Sequence, residues 1–223
     1  MIDSKEQRIN MVESQVRPSD VTDRRIIRAM LEIPREMFVP DGFRALAYMD
    51  EGVPVTTRAD GKAPRMLLAP RTFAKLVQRA EIDADDVVLD VGCATGYSTA
   101  VLARLAKSVI AIEADAALAA RAANALRQLQ IENATALHGA FEAGAPQHAP
   151  FDAIVLEGAV QEVPQSLLDQ LKDGGRLVGI LAVGAVGRAQ VWLRTGKTFD
   201  ARPAFDAGAE LLPGMARKAE FSF

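Results

Sequence analysis

Hydrophobic residues follow two different patterns along the chain, and the change falls near residue 86. Beyond it, short continuous apolar runs alternate with segments of helical spacing, which is typical of a parallel sheet whose strands are buried on both faces. The pattern predicts strands at 87–91, 109–113, 134–138, 151–157 and 176–181, and helices at 97–106, after Asp115 and at 164–172. We therefore expect an α/β core over residues 86–223.

Residues 1–85 are expected to form a helical extension that packs on this core. Thr22 or Asp23 can cap a helix that Pro34 ends, and helical spacing returns at 71–79. Between these helices, residues 51–70 are rich in glycine and proline, which predicts a long loop. Because long loops in compact domains are often functional, we interpret this loop as the substrate loop.

The last part of the chain predicts a different connection. Residues 189–194 and 198–204 are two strand-like runs joined by Thr195-Gly196-Lys197, which suits an antiparallel hairpin. Together with the five strands above, these runs predict a mostly parallel sheet of seven strands that ends in an antiparallel hairpin.

Composition excludes several classes of protein. A net charge of −3 gives no basic field that would attract a phosphate backbone, so we expect no nucleic-acid partner. Cys93 is the single cysteine, and no apolar run approaches the roughly 18 residues that span a bilayer. Residues 1–10 are polar and lack the apolar stretch of a signal peptide, which predicts a cytoplasmic protein without membrane attachment. We predict no metal site.

A glycine-containing loop after the first core strand is the main candidate for chemistry. Asp90 is followed by Gly92-x-Ala94-x-Gly96 and then a predicted helix, the arrangement by which Rossmann-like folds bring a nucleotide to a helix N-terminus. A dinucleotide site would need a third glycine at position 97, which is Tyr97 here, so the spacing favours S-adenosylmethionine. Glu113 ends the next strand and can accept hydrogen bonds from both ribose hydroxyls. A glycine pair alone would also suit a simple tight turn.

Four other residues are weighed between a functional and a structural role. Cys93 is interpreted as buried filler rather than a nucleophile, because no histidine lies near it in sequence. His138 could contact an adenine or form a local hydrogen bond at a strand end, and His148 is expected at the surface. Glu157 closes a predicted strand at the edge where such sheets bind ligands, so it could line a pocket or cap the next segment.

The sequence resembles the protein-L-isoaspartate O-methyltransferases over nearly its whole length. The resemblance is carried by 11–17, 33–40 and 46–48 in the extension, by Gly92 to Tyr97, and by 149–154 and 171–178 in the core. It implies a Rossmann-like S-adenosylmethionine-dependent methyltransferase fold and a protein or peptide acceptor that carries an isoaspartyl carboxylate. The cofactor-binding residues expected from the motif and the resemblance are Asp90, Gly92, Cys93, Ala94, Gly96, Tyr97, Glu113, Ala114, Ala140, Phe141 and Glu157.

The chain departs from the family pattern at three places, of which Ala94 in place of the central glycine of the loop adds only a methyl group. The family's acceptor loop reads Thr-Ile-Ser-Gln-Pro, and here Leu68 and Ala69 stand in place of its serine and glutamine. Ala140 replaces an aspartate that would contact the adenine, and Phe141 could pack on the adenine instead or simply cover the core.

Four cations surround the altered acceptor loop: Arg58, Lys62, Arg65 and Arg71. An arginine there could bind the acceptor carboxylate, which makes Arg65 a candidate beside Leu68 and Ala69, or the loop could be solvated. Three hypotheses follow: an isoaspartyl methyltransferase with a remodelled acceptor loop, a methyltransferase of another acceptor, or a non-catalytic cofactor-binding protein.

Overall fold

A seven-stranded sheet lies at the centre of the computed structural model, which describes residues 3–56, 64–182 and 186–217. The described helices are α1 (Ser4–Met11), α2 (Arg24–Glu32), α3 (Pro70–Ala80), α4 (Tyr97–Leu102), α5 (Ala116–Gln128) and α6 (Gln165–Leu168). The described strands are β1 (Val53–Pro54), β2 (Met66–Leu67), β3 (Val87–Val91), β4 (Ser108–Glu113), β5 (Ala134–His138), β6 (Phe151–Val160), β7 (Leu171–Leu181), β8 (Arg188–Thr195) and β9 (Thr198–Asp206).

The sheet has the strand order β5-β4-β3-β6-β7-β8-β9. Neighbouring strands from β5 to β7 are parallel, whereas β8 is antiparallel to both β7 and β9. The predicted seven-stranded α/β fold with its C-terminal hairpin is therefore confirmed. Because parallel strands end at the same edge of a sheet, the residues that follow β3, β4 and β6 come together there.

Several predicted elements differ in extent from the structure. The helix predicted at 164–172 is the short α6, because Leu171 already pairs with Phe151 in the sheet and begins β7. The helix predicted at 97–106 ends at Leu102 and continues as irregular turns. The predicted loop at 51–70 contains a short antiparallel pair, β1 with β2.

The N-terminal residues pack directly against the start of α4. Of the two predicted caps, Asp23 caps α2 and accepts a hydrogen bond from the Arg25 N–H at 2.8 Å. Thr95 donates to the Phe38 carbonyl at 2.6 Å, and the Phe38 ring meets the edge of Tyr97. Buried residues of the extension and of the sheet share one hydrophobic cluster. In the described part of the chain, no helix is long and apolar enough to cross a membrane.

Candidate active site

The loop between β3 and α4 is a tight turn with three residues in the left-handed region. Gly92, Ala94 and Gly96 have φ values of 86°, 51° and 94°. A Cβ on Gly96 would lie 3.0 Å from the Ala122 Cβ of α5, so both its φ and its surroundings require glycine there. Ala94 tolerates the same region at a cost of about 1–2 kcal/mol. The backbone of this turn faces the edge where β3, β4 and β6 end.

Asp90 braces the start of α4 from within the sheet. Its side chain is buried, and Oδ2 accepts hydrogen bonds from the Ser98 hydroxyl at 2.7 Å and the Thr99 hydroxyl at 2.6 Å. Oδ1 is buried and has no hydrogen-bond partner among the described residues. Burial raises the pKa of Asp90 from its usual 3.8 to about 7, although the two hydroxyl bonds oppose the rise.

The raised pKa of Asp90 makes stability depend on pH. An acid that binds its proton more tightly in the folded chain stabilises the fold at low pH, and this contribution declines between about pH 4 and pH 7. The decline has an upper limit of about 1.4 kcal/mol per pH unit. We expect the free energy of unfolding of the wild type, relative to that of Asp90→Asn, to fall over this range in denaturant titrations. A constant difference between the two proteins would contradict the assignment.

Glu113 lies at the end of β4, and its carboxylate is fully buried. Oε2 accepts hydrogen bonds from the Ala94 N–H at 2.8 Å and from Arg65 Nη2 at 3.0 Å, while Oε1 accepts from the Asp115 N–H at 3.2 Å. The carboxylate that the sequence predicts for ribose binding therefore forms an internal ion pair in this structure.

Arg65 directly precedes β2, and its side chain reaches into the site. Its guanidinium also donates to the Gly92 carbonyl at 3.0 Å and lies 5.3 Å from the centre of the Phe141 ring. Since Arg65 is only 8% exposed, a solvated-loop role is wrong for this residue. Arg71 does fit that role, because it is half-exposed and pairs with Asp50 at 3.3 Å. Arg58 and Lys62 lie outside the described residues.

A C-terminal segment, residues 209–217, runs across the ends of β3 and β6, and we call it the strap. The Leu212 N–H donates to the Ala159 carbonyl at 2.8 Å, and the Ala159 N–H donates to the Glu210 carbonyl at 2.9 Å. The Leu212 side chain is fully buried. A Cβ on Gly92 would lie 2.9 Å from a Leu212 methyl carbon, so the leucine lies directly on the glycine loop. Sequence reasoning missed this residue because nothing in the local pattern connects 212 to the loop.

Glu157 is placed by an irregularity in the sheet. Between the pairs Val155 with Val178 and Ala159 with Ile180, β6 has three residues where β7 has one. Such a bulge re-aims side chains, and Glu157 lies within it, buried, with an Oε1 atom that lacks a partner among the described residues. The prediction that Glu157 closes its strand is wrong, because β6 continues to Val160. Burial raises the pKa of Glu157 well above its usual value, and nearby Asp90 raises it further.

The cavity between the β3–α4 turn and Glu157 is small. The cavity that touches Gly92, Tyr97 and Glu157 measures about 10 Å³, whereas small-molecule sites occupy about 300–1,000 Å³. The chemistry of the site still fits S-adenosylmethionine: a carboxylate at the second strand end, a buried turn with glycines at positions 92 and 96, and a buried Glu157 whose Oε1 has no partner among the described residues. Arg65 and Leu212 must move before such a ligand can enter.

The acceptor loop lies on the other side of this cavity. Leu68 is buried, and its carbonyl accepts a hydrogen bond from Arg35 Nη2 at 2.7 Å. Arg35 is itself fully buried, donates to the Ala47 carbonyl at 2.7 Å and lies over the Tyr97 ring at 4.6 Å. Beyond Leu68 and Ala69, an open groove of about 830 Å³ lies between 66–69 and 205–210.

The remaining candidates divide between the site and its surroundings. Ala114 is exposed, and its carbonyl forms a 3.1 Å hydrogen bond with His138, which agrees with a strand-end role for that histidine. Ala140 is exposed, while Phe141 packs in the core with Arg65 over its ring. Cys93 is buried, and burial raises the pKa of its thiol, as a non-nucleophilic filler requires. His148 is at the surface.

Comparison with known proteins agrees with the geometry. A family model for Protein-L-isoaspartate(D-aspartate) O-methyltransferase (PCMT) matches residues 6–208. Protein-L-isoaspartate O-methyltransferase 2 of an Anaeromyxobacter species is 38% identical over 192 residues, which cover 86% of this chain and 76% of that protein. The corresponding enzyme of Herpetosiphon aurantiacus is 36% identical, over 78% of this chain and 75% of its own.

Solved structures show the same fold. A protein-L-isoaspartate O-methyltransferase superposes with a TM-score of 0.82 at 25% identity, over 93% of this chain and 66% of its own. A Plasmodium falciparum chain described as a beta-aspartate methyltransferase (PCMT), in complex with S-adenosyl-L-homocysteine, superposes with a TM-score of 0.76 at 18% identity over 95% of this chain and 99% of its own. The chain belongs to the protein-L-isoaspartate O-methyltransferase family, whose members are S-adenosylmethionine-dependent methyltransferases, as the resemblance predicts.

Proposed function

We propose that this chain transfers a methyl group from S-adenosylmethionine to the side-chain carboxylate of isoaspartyl residues in proteins or peptides. The observation that carries the proposal is the buried Glu113 beside the Gly92–Gly96 turn, in a chain of this family. When bound, the donor supplies an electrophilic methyl group on a sulfonium. The acceptor carboxylate has a pKa near 4 and is ionised at neutral pH, so the chain needs no general base.

The protein's task is therefore to orient two reactants and exclude water. Glu113 would accept hydrogen bonds from the ribose hydroxyls once the Arg65 guanidinium has moved away from it. Asp90 would hold the start of α4 in place through its hydrogen bonds with Ser98 and Thr99. Arg35 fixes the backbone of the acceptor loop through the Leu68 carbonyl.

The acceptor carboxylate needs a polar partner that Leu68 and Ala69 do not supply. Arg65 directly precedes β2 and the acceptor loop, so its guanidinium can reach toward that side once it is released from Glu113. A guanidinium binds a carboxylate through paired hydrogen bonds. We propose that Arg65 takes over the orienting role of the family's serine, and that the adjoining groove receives the peptide.

Methyl transfer can be measured with labelled S-adenosylmethionine, an isoaspartyl peptide and its aspartyl twin. We expect base-labile label on the isoaspartyl peptide and none on the twin. Absence of label from the isoaspartyl peptide, in a chain that binds S-adenosylhomocysteine, would reject the acceptor and leave another acceptor or a non-catalytic binding role. Absence of both label and binding would reject the donor as well.

A further inference from the structure

Arg65 and Leu212 reach the same pocket from distant parts of the chain. Arg65 lies next to the acceptor loop, and Leu212 belongs to the strap, which follows the last strand of the sheet. The strap lies beyond residues 6–208, the part of the chain that matches the family model. Both side chains are buried against the turn that the donor is proposed to occupy.

The contacts of Arg65 are those that a nucleoside would need. Its guanidinium donates hydrogen bonds to a carboxylate oxygen of Glu113 and to the Gly92 carbonyl, and it lies over one face of the Phe141 ring. A ribose hydroxyl donates hydrogen bonds to a carboxylate in the same way, and an adenine can stack on an aromatic face. Arg65 therefore supplies in the ligand-free chain the charged partner of Glu113, whose buried carboxylate would otherwise keep only the Ala94 and Asp115 N–H groups as donors.

Leu212 fills the apolar part of the same space. A Cβ on Gly92 or on Gly158 would lie within 2.9 Å and 2.7 Å, respectively, of a Leu212 methyl carbon. The leucine packs in a cluster with Val91, Leu156 and Phe141. The two glycines that leave room for a ligand thus leave room for a side chain of the chain itself.

We propose that the side chains of Arg65 and Leu212, which together we call the plug, occupy the pocket of the methyl donor in the ligand-free chain. The plug thereby sets the affinity for the donor, and donor binding displaces both side chains. The inference rests on the proposed function. The observed dissociation constant then equals the intrinsic constant divided by the fraction of chains in which the pocket is open. Substitutions that weaken the plug should tighten donor binding.

The strap can move away from the strand ends without breaking the pairing between strands of the sheet. Its main links to the ends of β6 are the backbone hydrogen bonds of Glu210, Leu212 and Met215, and the Arg217 N–H, which donates to the Gln161 side chain at 2.8 Å. The neighbouring Leu211 side chain is 36% exposed, so it belongs to the strap and not to the plug. This makes Leu211 a matched control for Leu212.

The test compares S-adenosylhomocysteine binding by calorimetry in the wild type, Leu212→Ala and Leu211→Ala, with thermal unfolding of each protein with and without ligand. We expect Leu212→Ala to bind about tenfold tighter, because burial of a leucine side chain contributes at least that factor to the closed state. Its midpoint of unfolding should fall without ligand and fall less at saturation. Leu211→Ala should match the wild type.

If Leu212→Ala folds poorly, Arg65→Gln provides a second variant. Its control is Arg44→Gln, because Arg44 is an exposed arginine that pairs with Asp41. Arg65→Gln should also bind more tightly than the wild type. Equal or weaker binding by the folded plug variants would overturn the inference, since it would mean that these residues contact the donor or only support the fold. Binding by the variants but not by the wild type would support the plug, whereas absence of binding in all proteins would reject the donor itself.

Discussion

Glu113→Ala is expected to lower the free energy of unfolding by about 3–5 kcal/mol, because removal of one partner of a buried ion pair leaves the other charge uncompensated. The Arg65 guanidinium would retain only the Gly92 carbonyl as a hydrogen-bond partner among the described residues, and the Ala94 and Asp115 N–H groups would lose their acceptor. Urea titration of the folded protein measures the loss.

Glu13→Ala is the control for this substitution. Glu13 pairs with Arg17 at 2.8 Å, but both side chains are about half exposed, and such pairs contribute about 0–1 kcal/mol. The double variant Arg65→Ala with Glu113→Ala should recover part of the loss, because no buried charge is then left alone. A loss for Glu113→Ala no larger than that for Glu13→Ala would show that the ion pair does not hold the pocket closed.

Gly96→Arg is expected to abolish donor binding. The residue has a φ of 94°, and a Cβ there would lie 3.0 Å from Ala122, so the longer side chain must displace either α5 or the turn. Calorimetry with S-adenosylhomocysteine and circular dichroism of the same samples separate loss of the site from loss of the fold.

Gly174→Arg is the matched control for Gly96→Arg. Gly174 has a similar φ of 77°, but no described atom lies within 4 Å of a Cβ placed on it. The control therefore carries the backbone strain of a positive φ without an obstruction in the pocket. Retained donor binding in a folded Gly96→Arg protein would mean that the turn does not form the site.

Local pattern predicts the centre of the sheet well because β3, β4 and β6 are apolar and largely buried. The runs at 87–91 and 109–113 have few alternatives to a buried strand, and Asp115 caps the following helix as its side chain suggests. The helix predicted at 164–172 is wrong in its second half because pairing of Leu171 with Phe151 outweighs helical spacing. Local propensity is overridden where a strand is available to pair.

The candidate site is predicted only in part. The loop from Asp90 to Gly96 and the acidic Glu113 follow from spacing, since they lie at successive strand ends. The positions of Arg65 and Leu212 depend on how a loop and a C-terminal segment fold back over those strand ends. No periodicity or motif encodes that contact, and only the three-dimensional structure brings the two side chains to Gly92.

The most direct test of the account is a calorimetric titration of the wild-type chain with S-adenosylhomocysteine. We expect saturable binding of one ligand per chain, and loss of that binding in Gly96→Arg. Absence of binding heat from both the wild type and Leu212→Ala, in samples shown to be folded, would contradict it.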